Sequence, residues 1–373
     1  MIKVVTLVGT RPEIIKLSST IKKFQKFFEH TLIHSGQHYD YELSEVFFKD
    51  LGLKRPDIFL NSAKKNSIET ICSVINNFYK VLKKIKPDAV VVLGDTNSAM
   101  GIFAAKKLKI PTFHLEAGNR CFNLNNPEEL NRKLIDQISD INMPYTSIAR
   151  SYLLKDGLDP DKIIKVGSPM FEVLGDNKSK FKKINTLKNM KLEKNKYFLV
   201  SFHREENILD KKKIKEFITL LNYLSKEYKL KIIVSTHFRT QEILNKHKFS
   251  NSFVKFYKPF GFIDYINLQL NSKAVLSDSG SLTEECSVLK FKAIDLRDEN
   301  ERPEGMEEGV VVLAGLDLQK IKSGLNFLLN KQPNIKNNNT IVDDYYSPNF
   351  SNKVVNTIIS YINYVNRKIW LKK

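Results

Sequence analysis

Cysteine is scarce in this chain. Cys72, Cys121 and Cys286 are the only three, and no two stand at a spacing that would hold a metal. A sparse, odd set points to a reducing compartment, so cytoplasm is the expected location. No hydrophobic run is long enough to span a bilayer, and no short repeat or low-complexity segment occurs. The first residues, MIKVVTLVG, read as an opening strand and not as a signal peptide. Acidic residues are outnumbered, 41 against 60 Lys and Arg, which gives a formal net charge of +19. Such a balance could serve nucleic acid or a membrane surface. The lysines, however, alternate with apolar residues at helical spacing, as in Lys22, Lys23 and Lys26 or Lys211, Lys212 and Lys213. That is the pattern of solvated helix faces, and no nucleic-acid motif accompanies it. The expected partner is an anionic small molecule, with neither nucleic acid nor membrane.

Hydrophobic residues make up 42% of the 373, enough for a sizeable interior and, at this length, for two domains. Short apolar, β-branched runs alternate with amphipathic stretches. KVVTLVG, HTLIHSG, DAVVVLG, IPTFHLEAG, DINMPY and KIIKVGS read as strands, with helices near 12–28, 67–85, 96–107 and 127–138. A polar, lysine-rich stretch over 168–194 reads as a linker or domain edge. The alternation then restarts with KYFLVSFH, LKIIVSTH, NSFVKFY, KAVLSDSG, FKAIDLR and GVVVLAG. Residues 351–373 carry one amphipathic helix, expected to pack back across the domains. The fold class implied is α/β: two Rossmann-like, doubly wound parallel-sheet domains, 1–167 and 195–350, facing a cleft. Ligands in such sheets bind at the carboxyl ends of the strands.

The strand ends carry the chemistry. In GTRPEIIK, Pro12 suits the first helical position and Glu13 the helix start, while Arg11 and Lys16 put two cations beside a helix N-terminus. Asp95 follows Gly94 at another strand end, where a helix N-cap is the bland alternative. In HLEAGNRCFNLNNPEELNRKLID, alternation on a strand turns His114 and Glu116 the same way. No third metal ligand stands near this pair, so no metal is expected. Asn126 and Glu129 fit a capping box. Glu128, Arg132 and Asp136 are four apart on one helical face, either an ion-pair ladder or a working set. The adjoining strand-end Glu116 favours work for Glu128 and Arg132.

His203 with Arg204, and His237 with Arg239, end two strands of the second half. In LSDSGSLTEE, the turn Ser279–Gly280–Ser281 leads into a helix whose first amides can cradle a phosphate. Glu284 fits a capping box on Ser281, leaving Glu285 to accept from sugar hydroxyls. LRDENERPEG gathers Arg297, Glu301, Arg302 and Glu304 at a further strand end, with Arg302 counted among the candidate ligand contacts. From spacing alone, a nucleotide diphosphate derivative is the ligand that fits best.

At these residues the sequence resembles the non-hydrolysing UDP-N-acetylglucosamine 2-epimerase family. GTRPEIIK, SGQHYD, LGDTNSA, HLEAGNR, PEELNRKLID, VGSP, SFHREEN, DSGSLTEE and ERPEGMEEG stand in family order from residue 9 to about 310. The resemblance implies two domains of glycosyltransferase-B type, usually a cytoplasmic homodimer, with no metal or nicotinamide cofactor. It implies inversion at C-2 of a UDP-2-acetamido sugar, by anti elimination of UDP to a 2-acetamidoglucal and re-addition. By match, Asp95, Glu116 and Glu128 form the acid/base set, and His203 stands near the diphosphate. Arg11, Lys16 and Arg132 lie around the sugar phosphate, Ser279, Gly280, Ser281 and Glu285 contact phosphate and ribose, and His237 is a further active-site histidine. Tyr39 and Asp40 follow Gln37 and His38, where many members carry an arginine in a motif linked to allosteric UDP-N-acetylglucosamine binding. Asn119, Cys121 and YKPFGFIDY are closer to the capsule and O-antigen branch, which makes UDP-N-acetyl-L-fucosamine. A glycosyltransferase of the same fold is the rival reading, because fold does not fix function.

Overall fold

The computed structural model describes residues 1–37, 41–204, 207, 208, 210–236, 249–330 and 341–372. Its chain divides into two compact units, Met1–Asp176 with Asp344–Lys373, and Asn177–Asp343.

In the first unit the β-branched runs form β1 (Lys3–Val8), β2 (Glu29–His34), β3 (Ile58–Phe59), β4 (Ala89–Leu93), β5 (Thr112–Leu115) and β6 (Ile141–Met143). They make a six-stranded sheet in the order β3-β2-β1-β4-β5-β6, every pair parallel. All five residues of β4 are buried, as a strand covered on both faces requires. The covering helices include α1 (Arg11–Phe27), α2 (Tyr41–Leu51), α3 (Ser67–Ile85), α4 (Ile102–Lys107), α5 (Pro127–Ile138) and α6 (Ser147–Lys155). On one face Val74, Phe78 and Leu82, spaced at helical turns along α3, pack with Val5, Leu7, Val90 and Val92.

The second unit repeats the plan with β7 (Tyr197–Ser201), β8 (Lys231–Ser235), β9 (Val254–Tyr257), β10 (Ala274–Ser277), β11 (Ala293–Asp295) and β12 (Val312–Leu313). The order is β12-β11-β10-β7-β8-β9, again all parallel. Each sheet therefore reverses its winding once, between β1 and β4 and between β7 and β10. A doubly wound sheet opens its ligand crevice at that switch point.

Two expectations need correction. KIIKVGS forms no strand: only Ile163 bridges to Asn142, and a 3-10 turn at Pro160–Lys162 precedes it. The two-residue β3 was not foreseen. The lysine-rich stretch contains three short helices, Met170–Asp176, Lys178–Lys183 and Thr186–Asn189. Phe181 is buried there among exposed lysines. The last helix, Phe350–Lys368, belongs to the first unit. Ser351 ties it there by donating its amide and hydroxyl to Glu172 at 2.7 and 2.6 Å. Among the described residues no helix is long and apolar enough to cross a membrane.

Candidate active site

Gly9 ends β1 because nothing larger fits. A Cβ there would stand 1.9 Å from Ser98 Oγ and 2.3 Å from Ser35 Oγ. Glu13 folds back from the first turn of α1. Its carboxylate accepts from the amides of Gly9 and Thr10 at 2.8 and 2.6 Å, and from the hydroxyls of Thr10 and Thr96 at 2.8 and 3.0 Å. The end of β1 is thus tied to the turn after β4. Burial pushes the Glu13 carboxyl up to about 7 despite those hydrogen bonds. Asp95, in the β4 turn, pairs with Arg132 Nε of α5 at 2.7 Å. Glu116 follows β5 in the left-handed region, at φ 63°, and pairs with Lys16 Nζ of α1 at 2.7 Å. Both cations are nearly buried. Two carboxylates at neighbouring strand ends are each clamped by a cation from a helix. Arg11 places its guanidinium 5.6 Å from the ring centre of Phe47. Glu128 is exposed in the first turn of α5.

Glu129, buried beside it, accepts from the amides of Cys121 and Phe122 at 3.0 and 3.3 Å and pairs with Arg132 at 3.0 Å. Burial opposes its ionisation, but the Cys121 amide and Arg132 outweigh that and hold its pKa below the usual range. Asp136 pairs with His114 and Arg120 at 3.0 and 2.7 Å and accepts from the Gly118 amide.

In the second unit, the parallel register sets Ser201 of β7 beside Ser277 of β10, so the residues following them meet. Asp278, fully buried, accepts from the amides of His203 and Arg204, both at 3.0 Å, and from Asn207 Nδ2 at 3.2 Å. Its oxygen also stands 2.9 Å from His203 Nδ1, while 47% of the His203 side chain is exposed. Burial works to raise the Asp278 pKa, but the imidazole and the two amides hold it down at about 2. This fixes the ring by one nitrogen. Arg204 donates from Nε to the Asp278 carbonyl at 3.0 Å. At Gly280 a Cβ would meet Glu301 Oε1 at 3.2 Å, Arg302 Nη1 at 3.6 Å and Arg204 Nη2 at 3.7 Å. The turn into the helix Leu282–Leu289 is therefore flanked by two guanidinium groups. Helix-start amides and cations together suit a phosphate.

The family model for UDP-N-acetylglucosamine 2-epimerase matches residues 21–359. The chain belongs to the UDP-N-acetylglucosamine 2-epimerase family. A solved UDP-N-acetylglucosamine 2-epimerase from Rickettsia bellii is 43% identical, with a TM-score of 0.93 over 100% of both chains. A Methanocaldococcus jannaschii UDP-GlcNAc 2-epimerase, solved in complex with UDP-GlcNAc and UDP, is 34% identical, with a TM-score of 0.88 over 96% of this chain and 100% of that one. A Pseudomonas aeruginosa UDP-2,3-diacetamido-2,3-dideoxy-D-glucuronate 2-epimerase is 32% identical over 84% of this chain and 88% of its own. The chain is thus an enzyme of the isomerase class.

Within this epimerase-family fold, Asp95, Glu116, Lys16 and Arg132 come together at the first switch point, and His203 with Ser279, Gly280 and Ser281 at the second. Arg302 stands beside Gly280. His237 and residues 38–40 lie outside the described residues. Several sequence expectations change. His114 and Glu116 do not act as a pair, because the left-handed turn at Glu116 breaks the strand alternation. His114 points to Gly94 and Asp136, and Glu116 to Lys16. The capping box at Asn126 is replaced by a simple cap: Asn126 accepts from the Glu128 amide, and Glu129 closes the Cys121–Phe122 loop instead. Arg132 and Asp136 pair with Asp95 and His114, so they form no surface ladder. Glu284 does not close a capping box on Ser281. Ser281 donates to Glu285 at 2.8 Å and Gln269 to its other oxygen at 2.6 Å, while Glu284 pairs with Arg302 at 3.0 Å. The amide of Ser279 is taken by Ser277 Oγ at 3.0 Å. Asp278 was not singled out from sequence. Its signal was a strand-end acid one residue before the Ser-Gly-Ser turn, in register with the strand bearing His203. Among the described residues no cluster of His, Cys, Asp and Glu is arranged to hold a metal ion.

Proposed function

We propose that this enzyme inverts C-2 of a UDP-2-acetamidohexose, with UDP-N-acetylglucosamine and its manno epimer as the primary pair. The observation that carries the reading is the twin arrangement at the first switch point, Asp95–Arg132 and Glu116–Lys16, each at 2.7 Å. The hydrogen on C-2, the carbon that bears the acetamido nitrogen, has no carbonyl beside it to accept charge and is hard to remove, so its loss must be coupled to departure of the diphosphate from C-1. In the proposed sequence a carboxylate takes the C-2 proton as the C-1–oxygen bond breaks, leaving UDP and a 2-acetamidoglucal. A second acid returns a proton to the opposite face of C-2, and UDP adds back to C-1. Asp95, Glu116 and Glu128 supply the acid and base groups. His203, Arg204, Arg302 and the helix start after Ser281 offset the charge growing on the leaving UDP. Glu285 and the serines of the turn hold phosphate and ribose, with His237 and Arg11 as further contacts.

The Pseudomonas relative acts on a modified sugar, which supports variation of the substrate within the family. The 6-deoxy branch leading to UDP-N-acetyl-L-fucosamine, for cell-surface polysaccharide, is the second reading. It rests on the Asn119–Cys121 loop, where Asn119 Nδ2 donates to Glu116 Oε1 at 3.3 Å. On the same reading the enzyme works in the cytoplasm as a homodimer without a cofactor. The test is Glu116→Gln. It should lower kcat by about a thousandfold while UDP affinity by calorimetry stays within about twofold. Parallel losses of affinity and activity would instead make Glu116 a structural residue.

A further inference from the structure

His114 takes no part in the chemistry proposed above, yet it is held more completely than any candidate acid. It is 1% exposed and lies on β5 between Val92 of β4 and Asn142 of β6. Its Nε2 stands 2.9 Å from the carbonyl oxygen of Gly94, which can only accept. Its Nδ1 stands 3.0 Å from Asp136 Oδ1 and 3.3 Å from Asn142 Oδ1. The Asn142 amide nitrogen donates to the Asp136 carbonyl at 2.8 Å, so its oxygen is the atom turned to the ring. Asp136 is itself an acceptor, toward Arg120 at 2.7 Å and toward the Gly118 amide. Both ring nitrogens therefore face acceptors, and only an imidazolium has a proton for each. Asp136, Arg120, Asp140 beyond the strand, and Asp156, which pairs with Arg120 at 2.6 Å, are the charged groups of this layer. Burial works against the charge, but Asp136 and the Gly94 carbonyl outweigh it and raise the His114 pKa.

The position of this cation matters. Gly94 immediately precedes Asp95, and its amide donates to the Leu115 carbonyl at 2.9 Å while its carbonyl accepts from His114. Both backbone polar groups of Gly94 are thus pinned to β5. Asp136 reaches the loop after Glu116 through the Gly118 amide and Arg120, whose Nη1 also holds the Asn119 carbonyl at 2.7 Å. We propose that His114 is a permanently charged positioning residue which, as a doubly donating imidazolium between Gly94 and Asp136, fixes the turn carrying Asp95 relative to the loop carrying Glu116. The proposal rests on the reading that these two carboxylates handle the C-2 proton.

The experiment has a spectroscopic and a kinetic arm. Nitrogen NMR of the full-length protein labelled in its seven histidines, with His114 assigned by its loss in His114→Gln, should show both ring nitrogens protonated at pH 8. A neutral single tautomer there would overturn the proposal. In kinetics, His114→Gln and Asp136→Asn should lower kcat about a hundredfold, as expected for misplaced acids, with KM and UDP affinity within about twofold. A variant that melts like the wild type and keeps kcat within about threefold would also overturn it. If neither variant folds, the NMR arm on wild-type protein decides, with the His114 ring assigned by through-bond correlation to its own backbone. Absence of any C-2 exchange in the wild type would fell the functional reading and this proposal with it, whatever the charge on His114.

Discussion

Glu13 shows how much a single residue can be asked to do. Its type and place announce a helix start, and the structure adds a bridge between two strand ends that bear candidate catalytic groups. Four donors converge on a carboxylate with no solvent access, and burial still raises its pKa to about 7. The sign follows. A folded-state value above the ordinary 4.5 means that stability is fully present below pH 4.5 and is lost as pH rises through 7. Glu13→Gln keeps the shape and removes the charge. It should melt with the wild type at pH 5 and exceed it by about 3 kcal/mol at pH 9 in urea titrations. A wild type that is the more stable at pH 9 would mean that the hydrogen bonds more than offset burial of the charge.

At the level of elements, the loop from Glu116 to Cys121 carries backbone strain, with Glu116 and Gly118 both in the left-handed region. Gly118 adopts φ 81°, and a Cβ there would sit 2.4 Å from the Ala149 carbonyl oxygen, a backbone atom that cannot step aside. Gly118→Ala should therefore destabilise the protein by about 3 kcal/mol in chemical denaturation and lower activity along with it. A loss below about 0.5 kcal/mol would show that the loop is not held as described. The helices and most strands were legible in sequence because their apolar spacing is long and regular, as in Val74, Phe78 and Leu82 of α3. KIIKVGS misled because its contact with the short β6 is limited to one bridge at Ile163 and amide bonds from Ile164 and Val166 to Asn142 and Pro144, too little for a strand ladder. The roles of Glu128, Glu129, Glu284 and Glu285 were harder to read. Adjacent acids on a helix point about 100° apart, and which one meets a cation depends on the loop opposite. Asp278 and the His114–Asp136–Arg120 set were hidden for a related reason. Their partners are brought in by parallel register across strands, which separation in sequence does not reveal.

At the scale of the whole molecule, one plan is used twice. Each unit is a six-stranded parallel sheet with a single reversal, and in each the groups suited to a nucleotide sugar gather where the winding turns. The chain re-enters its first unit at Asp344, so its last helix completes the unit in which it began. On the proposed reading, groups of the first unit handle the proton and groups of the second take the leaving diphosphate. Its most direct test is proton exchange at C-2. In heavy water, with UDP-N-acetylglucosamine and no acceptor, the wild-type enzyme should place deuterium at C-2 of both epimers, read by NMR, and Glu116→Gln should not. Transfer or hydrolysis of the sugar with hydrogen retained at C-2 would contradict the account.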